Sequence, residues 1–129
     1  MIVSSATSSS TTAMSATTTS SGKWDTLNAA LVQYPLVGNL SVAQLTMKVR
    51  EYMVAGKRED RQLVILPELF SLDLLDFSIP ETEQFDRVID EIFPTFIDTL
   101  QSMAVEFNMY LLAGSVPAKV NGRVRNRSY

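Results

Sequence analysis

Three short apolar runs alternate with two stretches of helical period, and this alternation constrains the fold more than any other feature. The runs are Leu27 to Tyr34 (LNAALVQY), Gln62 to Leu66 (QLVIL) and Met109 to Ser115 (MYLLAGS). Each reads as a strand, and Gln62 to Leu66 is too short for a helix of ordinary length. Pro35 closes the first and Pro67 the second, since proline cannot donate to a sheet ladder. Between the first two runs, Val42, Leu45, Val49, Tyr52 and Met53 recur at three- and four-residue steps. They define one apolar helix face, with Ser41 as its cap and Lys48, Arg50 and Glu51 off the stripe. Gly56 and the charged Lys57 to Arg61 are expected to end that helix.

Between the second and third runs the pattern predicts a helix over Glu81 to Phe93, an interruption at Pro94, and a second helix from there to Asn108. Phe96, Ile97, Leu100, Met103, Ala104 and Phe107 form its stripe, and Asn108 is a natural stop. Asn121-Gly122 then marks a two-residue hairpin turn, with Val124 to Tyr129 returning as a fourth strand. Repeated strand–helix–strand units predict an α/β fold with neighbouring, mostly parallel strands and right-handed connections.

Composition divides the chain near Gly22. Residues 1–22 are dominated by Ser, Thr and Ala, and so little apolar surface does not offset the entropy of ordering. They are expected to form a disordered leader ahead of one domain at 23–129. The leader lacks the apolar centre of a secretory signal and the arginines usual in an organellar transit peptide. A cytoplasmic location is therefore expected, with organellar targeting the alternative.

The formal charge of -3 gives no reason to expect nucleic acid, which calls for clustered Lys and Arg. Arg123, Arg125 and Arg127 read as one solvated strand face. No apolar run is long enough for a membrane helix. The 129 residues contain no Cys and no His. A thiol nucleophile, a thiolate metal site and the usual neutral-pH base are thus absent from them. Acid–base chemistry here falls to a carboxylate, Lys or Tyr.

In open α/β sheets, ligands gather beyond the carboxyl ends of the strands. After the second strand that place belongs to Glu68, which Pro67 and the extended residue before it hold rigidly. A carboxylate so placed can serve as a general base, although strand-end acids are more often merely solvated. Asp73, Asp76, Glu81, Glu83 and Asp86 lack calcium-loop spacing and read as a solvated loop. Yet Leu72, Leu74, Leu75, Phe77 and Ile79 suggest that the loop over 71–80 packs against something. Lys119 reads as a solvated turn charge. Asn126 reads equally as an orienting side chain of the hairpin or as a plain strand-end residue.

LVILPELF, Leu63 to Phe70, resembles the first motif of the nitrilase superfamily of carbon–nitrogen hydrolases, in which a hydrophobic strand ends in Pro-Glu. LNAALVQYPLVGNL resembles that family's first strand and loop. YLLAGSVPAKVNGRVRNRSY resembles its third strand and hairpin, with an Asn-led strand to follow. The resemblance runs from about Leu27 to Tyr129. It implies the N-terminal part of an α–β–β–α sandwich, incomplete in this chain, that forms homo-oligomers in the full-length protein. It also implies hydrolysis of small amides or nitriles by a Glu-Lys-Cys mechanism without metal or organic cofactor. Only the glutamate carries over, onto Glu68; the family's lysine and cysteine follow later strands, and Lys119 does not occupy the lysine's place. Ser71-Leu72-Asp73 stands where many members have Gly and Tyr, so the pocket wall departs from the usual pattern. The alternative is a truncated, inactive chain acting as a protein-interaction module. In either case the isolated chain is expected to lack activity.

Overall fold

The computed structural model describes residues 12–17 and 26–129. Strands β1 (Thr12–Thr17), β2 (Thr26–Leu31), β3 (Leu63–Ile65) and β4 (Tyr110–Leu112) form one sheet in that order. β2, β3 and β4 run parallel, as the strand–helix–strand pattern predicts, with Ala30, Val64 and Leu111 in register. β1 pairs antiparallel with β2, Thr12 opposite Leu31 and Thr17 opposite Thr26. Six residues of the expected leader are therefore in a strand; the rest of it lies outside the described residues.

Helix α1 (Val42–Arg58) begins at a reciprocal cap. Ser41 Oγ accepts from the Gln44 amide, and Gln44 Oε1 accepts from the Ser41 amide. Two of the helix's orphan donors are thereby satisfied. Leu45, Val49 and Met53 are fully buried on its inner face. Gly56 does not end the helix, contrary to expectation. A Cβ there would lie 2.8 Å from Val64 Cγ2 and 3.0 Å from Met109 Cε. The glycine instead lets α1 approach the sheet closely, and the backbone turns left-handed only at Asp60.

The second helical region is continuous. α2 (Glu81–Arg87) passes through a π turn over Val88–Ile92 into α3 (Phe93–Phe107). The Phe93 amide reaches back to the Val88 carbonyl, one residue wider than an α-helical bond. Pro94 has no N–H to give, and the widened turn accommodates it without breaking the helix. The interruption expected at Pro94 is therefore a bulge. Asn108 closes α3 in the left-handed conformation, φ 49° and ψ 51°, as the sequence suggests.

α1 and α3 cover one sheet face. Phe96, Ile97, Leu100 and Met103 are buried there with Ala30 and Val64. Arg50 also forms a two-pronged ion pair with Glu106 between the two helices. The opposite sheet face is open: Leu31, Tyr110 and Leu112 are 42%, 65% and 42% exposed. β5 (Ser115–Val120) and β6 (Arg123–Ser128) form a separate antiparallel hairpin. Asn121 and Gly122 both have positive φ, 52° and 72°, as the tight hairpin turn requires. Among the described residues no helix is long and apolar enough to cross a membrane.

Candidate functional site at the strand tips

Pro67 interrupts the ladder of β3, and the chain resumes contact one residue later. Glu68 forms a parallel bridge with Ser115, and the Leu69 amide donates to the Ser115 carbonyl at 3.0 Å. The start of the hairpin is thus fastened beside the carboxyl end of β3. Gly114 makes this possible. Its φ is +60°, and a Cβ would sit 2.0 Å from the Pro67 carbonyl oxygen. Only a residue without a side chain fits both constraints.

Glu68 occupies the place expected for it, at the sheet rim. Its side chain is exposed at one side of an open cleft of about 280 Å³, lined also by Leu112, Gly114, Ser115, Asn126 and Ser128. Asn126 Nδ2 donates to Glu68 Oε1 at 2.5 Å. Of the two readings open for Asn126, the structure therefore supports an orienting side chain. Leu69, next in the chain, has φ 56° and ψ 23°. A branched residue adopts that left-handed conformation only at a cost of about 1–2 kcal/mol. The strain falls where the chain turns sharply from the strand into a 3₁₀ turn over Phe70–Leu74.

That 3₁₀ turn contains the main departure from expectation. Asp73 is not solvated; it is fully buried. Its Oδ1 accepts from the Val37 and Gly38 amides at 2.6 and 2.8 Å. Its Oδ2 accepts from the Tyr34 hydroxyl at 2.6 Å and from Lys48 Nζ at 2.7 Å. Lys48 also donates to the Pro35 carbonyl and lies 3.8 Å from the centre of the Tyr34 ring. Burial alone would push the Asp73 carboxyl up. The donors from Gly38, Lys48, Tyr34 and Val37 outweigh it and hold the carboxyl below its ordinary range. Burial, followed by the hydrogen bond to Asp73, pushes the Tyr34 hydroxyl far up. The carboxylate ties the β2–α1 loop to the turn that follows Glu68. Phe70 at the start of that turn packs edge-on against Tyr34, with centroids 6.0 Å apart.

The other acidic residues behave differently. Asp76 accepts from the Ser78 amide and hydroxyl, which lowers its carboxyl pKa. Asp86 does not stand alone. With Asp90 it brackets Lys119 Nζ, at 3.0 and 2.8 Å. Lys119 is thus held by two carboxylates rather than free in solvent, and it does not line the cleft at Glu68. The side-chain hydroxyls of Ser71 and Ser115 are buried and make no hydrogen bond within the protein.

The strand-tip glutamate, the adjoining cleft and the Asn-bearing hairpin occur in the order that the sequence motifs suggest. No curated protein matches the chain. The family model for carbon-nitrogen hydrolases matches residues 28–129. The chain therefore belongs to the carbon-nitrogen hydrolase family.

Proposed function

We propose that this chain contributes the general base of a small-molecule carbon–nitrogen hydrolase, with Glu68 as that base. The observation that supports the reading most is the position of the Glu68 carboxylate: at the carboxyl end of a parallel strand, beside a cleft, with one oxygen held by Asn126. In the reaction that the family implies, Glu68 takes the proton of a thiol. The thiolate attacks the carbon of an amide or nitrile and a lysine stabilises the developing negative charge. For an amide, Glu68 passes that proton to the departing nitrogen, the C–N bond breaks, ammonia leaves and a thioester remains; water, activated by the same glutamate, then releases the acid and restores the thiol. The 129 residues contain no cysteine, so this chemistry needs a thiol from outside them.

The wider reading is an α–β–β–α sandwich, homo-oligomeric and cytoplasmic, needing no metal or organic cofactor. The open face bearing Leu31, Tyr110 and Leu112 supports a second sheet layer there, since contiguous exposed apolar surface usually marks an interface. The same face favours the alternative, in which these residues alone form an inactive module that pairs with another chain.

Ammonia release from a panel of short amides and nitriles separates the two. The product of the intact gene is expected to release ammonia and to lose that activity on Glu68→Gln. The isolated 129-residue chain is expected to release none. Release by the intact gene product that Glu68→Gln leaves untouched would refute the role given to Glu68.

A further inference from the structure

Glu68 has two carboxylate oxygens, and among the described residues only Oε1 has a hydrogen-bond partner. Asn126 Nδ2 meets Oε1 at 2.5 Å. Asn126 comes from β6, 58 positions along the chain and in a different sheet. We propose that Asn126 is a positioning residue for Glu68: its amide anchors Oε1 and fixes the rotamer in which Oε2 is left to exchange a proton over the cleft. This inference rests on Glu68 being the base.

The residue type suits that task. An amide donates a hydrogen bond without carrying a charge. A cation at the same place would form an ion pair with the carboxylate and oppose its protonation. Such cations are adjacent in sequence. Arg125 and Arg127 flank Asn126, and strand alternation turns both to the opposite face of the hairpin. Arg127 lies instead over the Tyr129 ring, 5.1 Å from its centre.

Hairpin register decides which of these residues meets Glu68. Asn126 stands opposite Pro117, and Ser128 opposite Ser115. A slip of one residue would bring an arginine to the carboxylate, because side chains alternate between faces. Two features oppose a slip. The Asn121-Gly122 turn has positive φ at both residues, which commits the hairpin to a two-residue loop. At the other end, the Leu69 amide and the Glu68–Ser115 bridge fix the start of β5 against the strand tip. The hairpin thereby delivers a neutral donor to Glu68 and keeps the charged neighbours away.

Solution NMR of the full chain tests this. In the wild-type protein the Asn126 side-chain amide is expected to shift with pH in step with the Glu68 carboxyl carbon. The Glu68 side-chain couplings should report one staggered rotamer. Asn126→Asp keeps the shape but cannot donate from an ionised carboxylate, and is expected to give averaged couplings, while the Leu69 amide, which donates to the Ser115 carbonyl, keeps its exchange protection. A Glu68 that stays in one rotamer in Asn126→Asp would overturn the proposal. So would a wild-type Asn126 amide indifferent to the ionisation of Glu68, a measurement that needs no variant to fold. The two readings fail separately. Averaged Glu68 couplings in the wild type alongside Glu68-dependent ammonia release would remove the positioning role alone. A fixed rotamer alongside ammonia release indifferent to Glu68→Gln would remove the catalytic reading and leave only a structural contact between Asn126 and Glu68.

Discussion

The Lys48 ammonium lies 2.7 Å from the Asp73 carboxylate, and that carboxylate is fully buried in the turn after Glu68. Four donors converge on it from the β2–α1 loop and from α1. Removing one partner of such a buried pair leaves the other uncompensated, which typically costs about 3–5 kcal/mol. Asp73→Ala is expected to destabilise the chain by roughly that much, read as a lower midpoint in urea. A change below about 0.5 kcal/mol, the size typical of a surface substitution, would contradict the burial of this carboxylate.

Asp73 also sets an acid limb. Its carboxyl is held below the ordinary value of 3.8 in the folded protein. Above that value the carboxyl is ionised in both states and its contribution is complete. As pH falls below it, the unfolded chain takes up the proton first and the contribution is lost. Stability followed through this range is expected to fall less steeply in Asp73→Asn than in the wild type. Equal slopes would contradict the assignment.

Tyr34 acts at the other end of the scale. Its hydroxyl is raised above the ordinary 10.0 by burial and then by Asp73. The contribution is whole below pH 10.0 and declines above it, because the unfolded chain loses the proton while the folded one retains it. Tyr34→Phe is expected to flatten this alkaline loss, measured by denaturant titration from neutral to strongly alkaline pH. Unaltered alkaline loss in the variant would count against the burial and hydrogen bonding of this hydroxyl.

Two glycines with positive φ should respond differently to alanine. At Gly122 an added Cβ meets nothing within 4 Å, leaving only left-handed strain, about 1–2 kcal/mol. At Gly114 it would lie 2.0 Å from the Pro67 carbonyl oxygen. Gly114→Ala must therefore displace the strand tip, and the expected loss is at least twice that of Gly122→Ala in thermal unfolding. Similar losses would show that the close approach at Pro67 is not a constraint.

The open sheet face predicts self-association. Leu31, Tyr110 and Leu112 share it, with Leu31 and Leu112 both in register with Ile65. Sedimentation velocity of the isolated chain should show concentration-dependent association that Tyr110→Ser with Leu112→Ser reduces. A wild-type chain that stays monomeric throughout would contradict an apolar docking face.

Local chemistry made some of this fold legible in the sequence. Ser41 marks the start of α1, Asn108 the end of α3, and Asn121-Gly122 the hairpin, because each acts within a few residues of itself. Gly56 was ambiguous: glycine serves equally to end a helix and to admit a close neighbour, and the neighbours here, Val64 and Met109, come from elsewhere in the chain. Pro94 shows the same limit, since only packing decides whether a helix breaks or widens. The position of Glu68 at the sheet rim was legible from its place after a strand and a proline. Its partner Asn126 was only half so, because 58 positions separate them. Asp73 was missed because its donors begin 25 positions away, at Lys48, and reach back to Tyr34, 39 away. The apolar residues around it were the one local sign that this loop is packed.

The most direct test of the role of Glu68 is kcat/KM for a short aliphatic amide, measured on the product of the intact gene with Glu68→Gln and Lys119→Met. Loss of a general base lowers rates by about 10²–10⁴-fold, so Glu68→Gln is expected to fall by at least ~100-fold. Lys119, held by Asp86 and Asp90 away from the cleft, should leave the value within about threefold, a difference of well under 1.4 kcal/mol in barrier. A Glu68→Gln enzyme as fast as the wild type would contradict the assignment of the base.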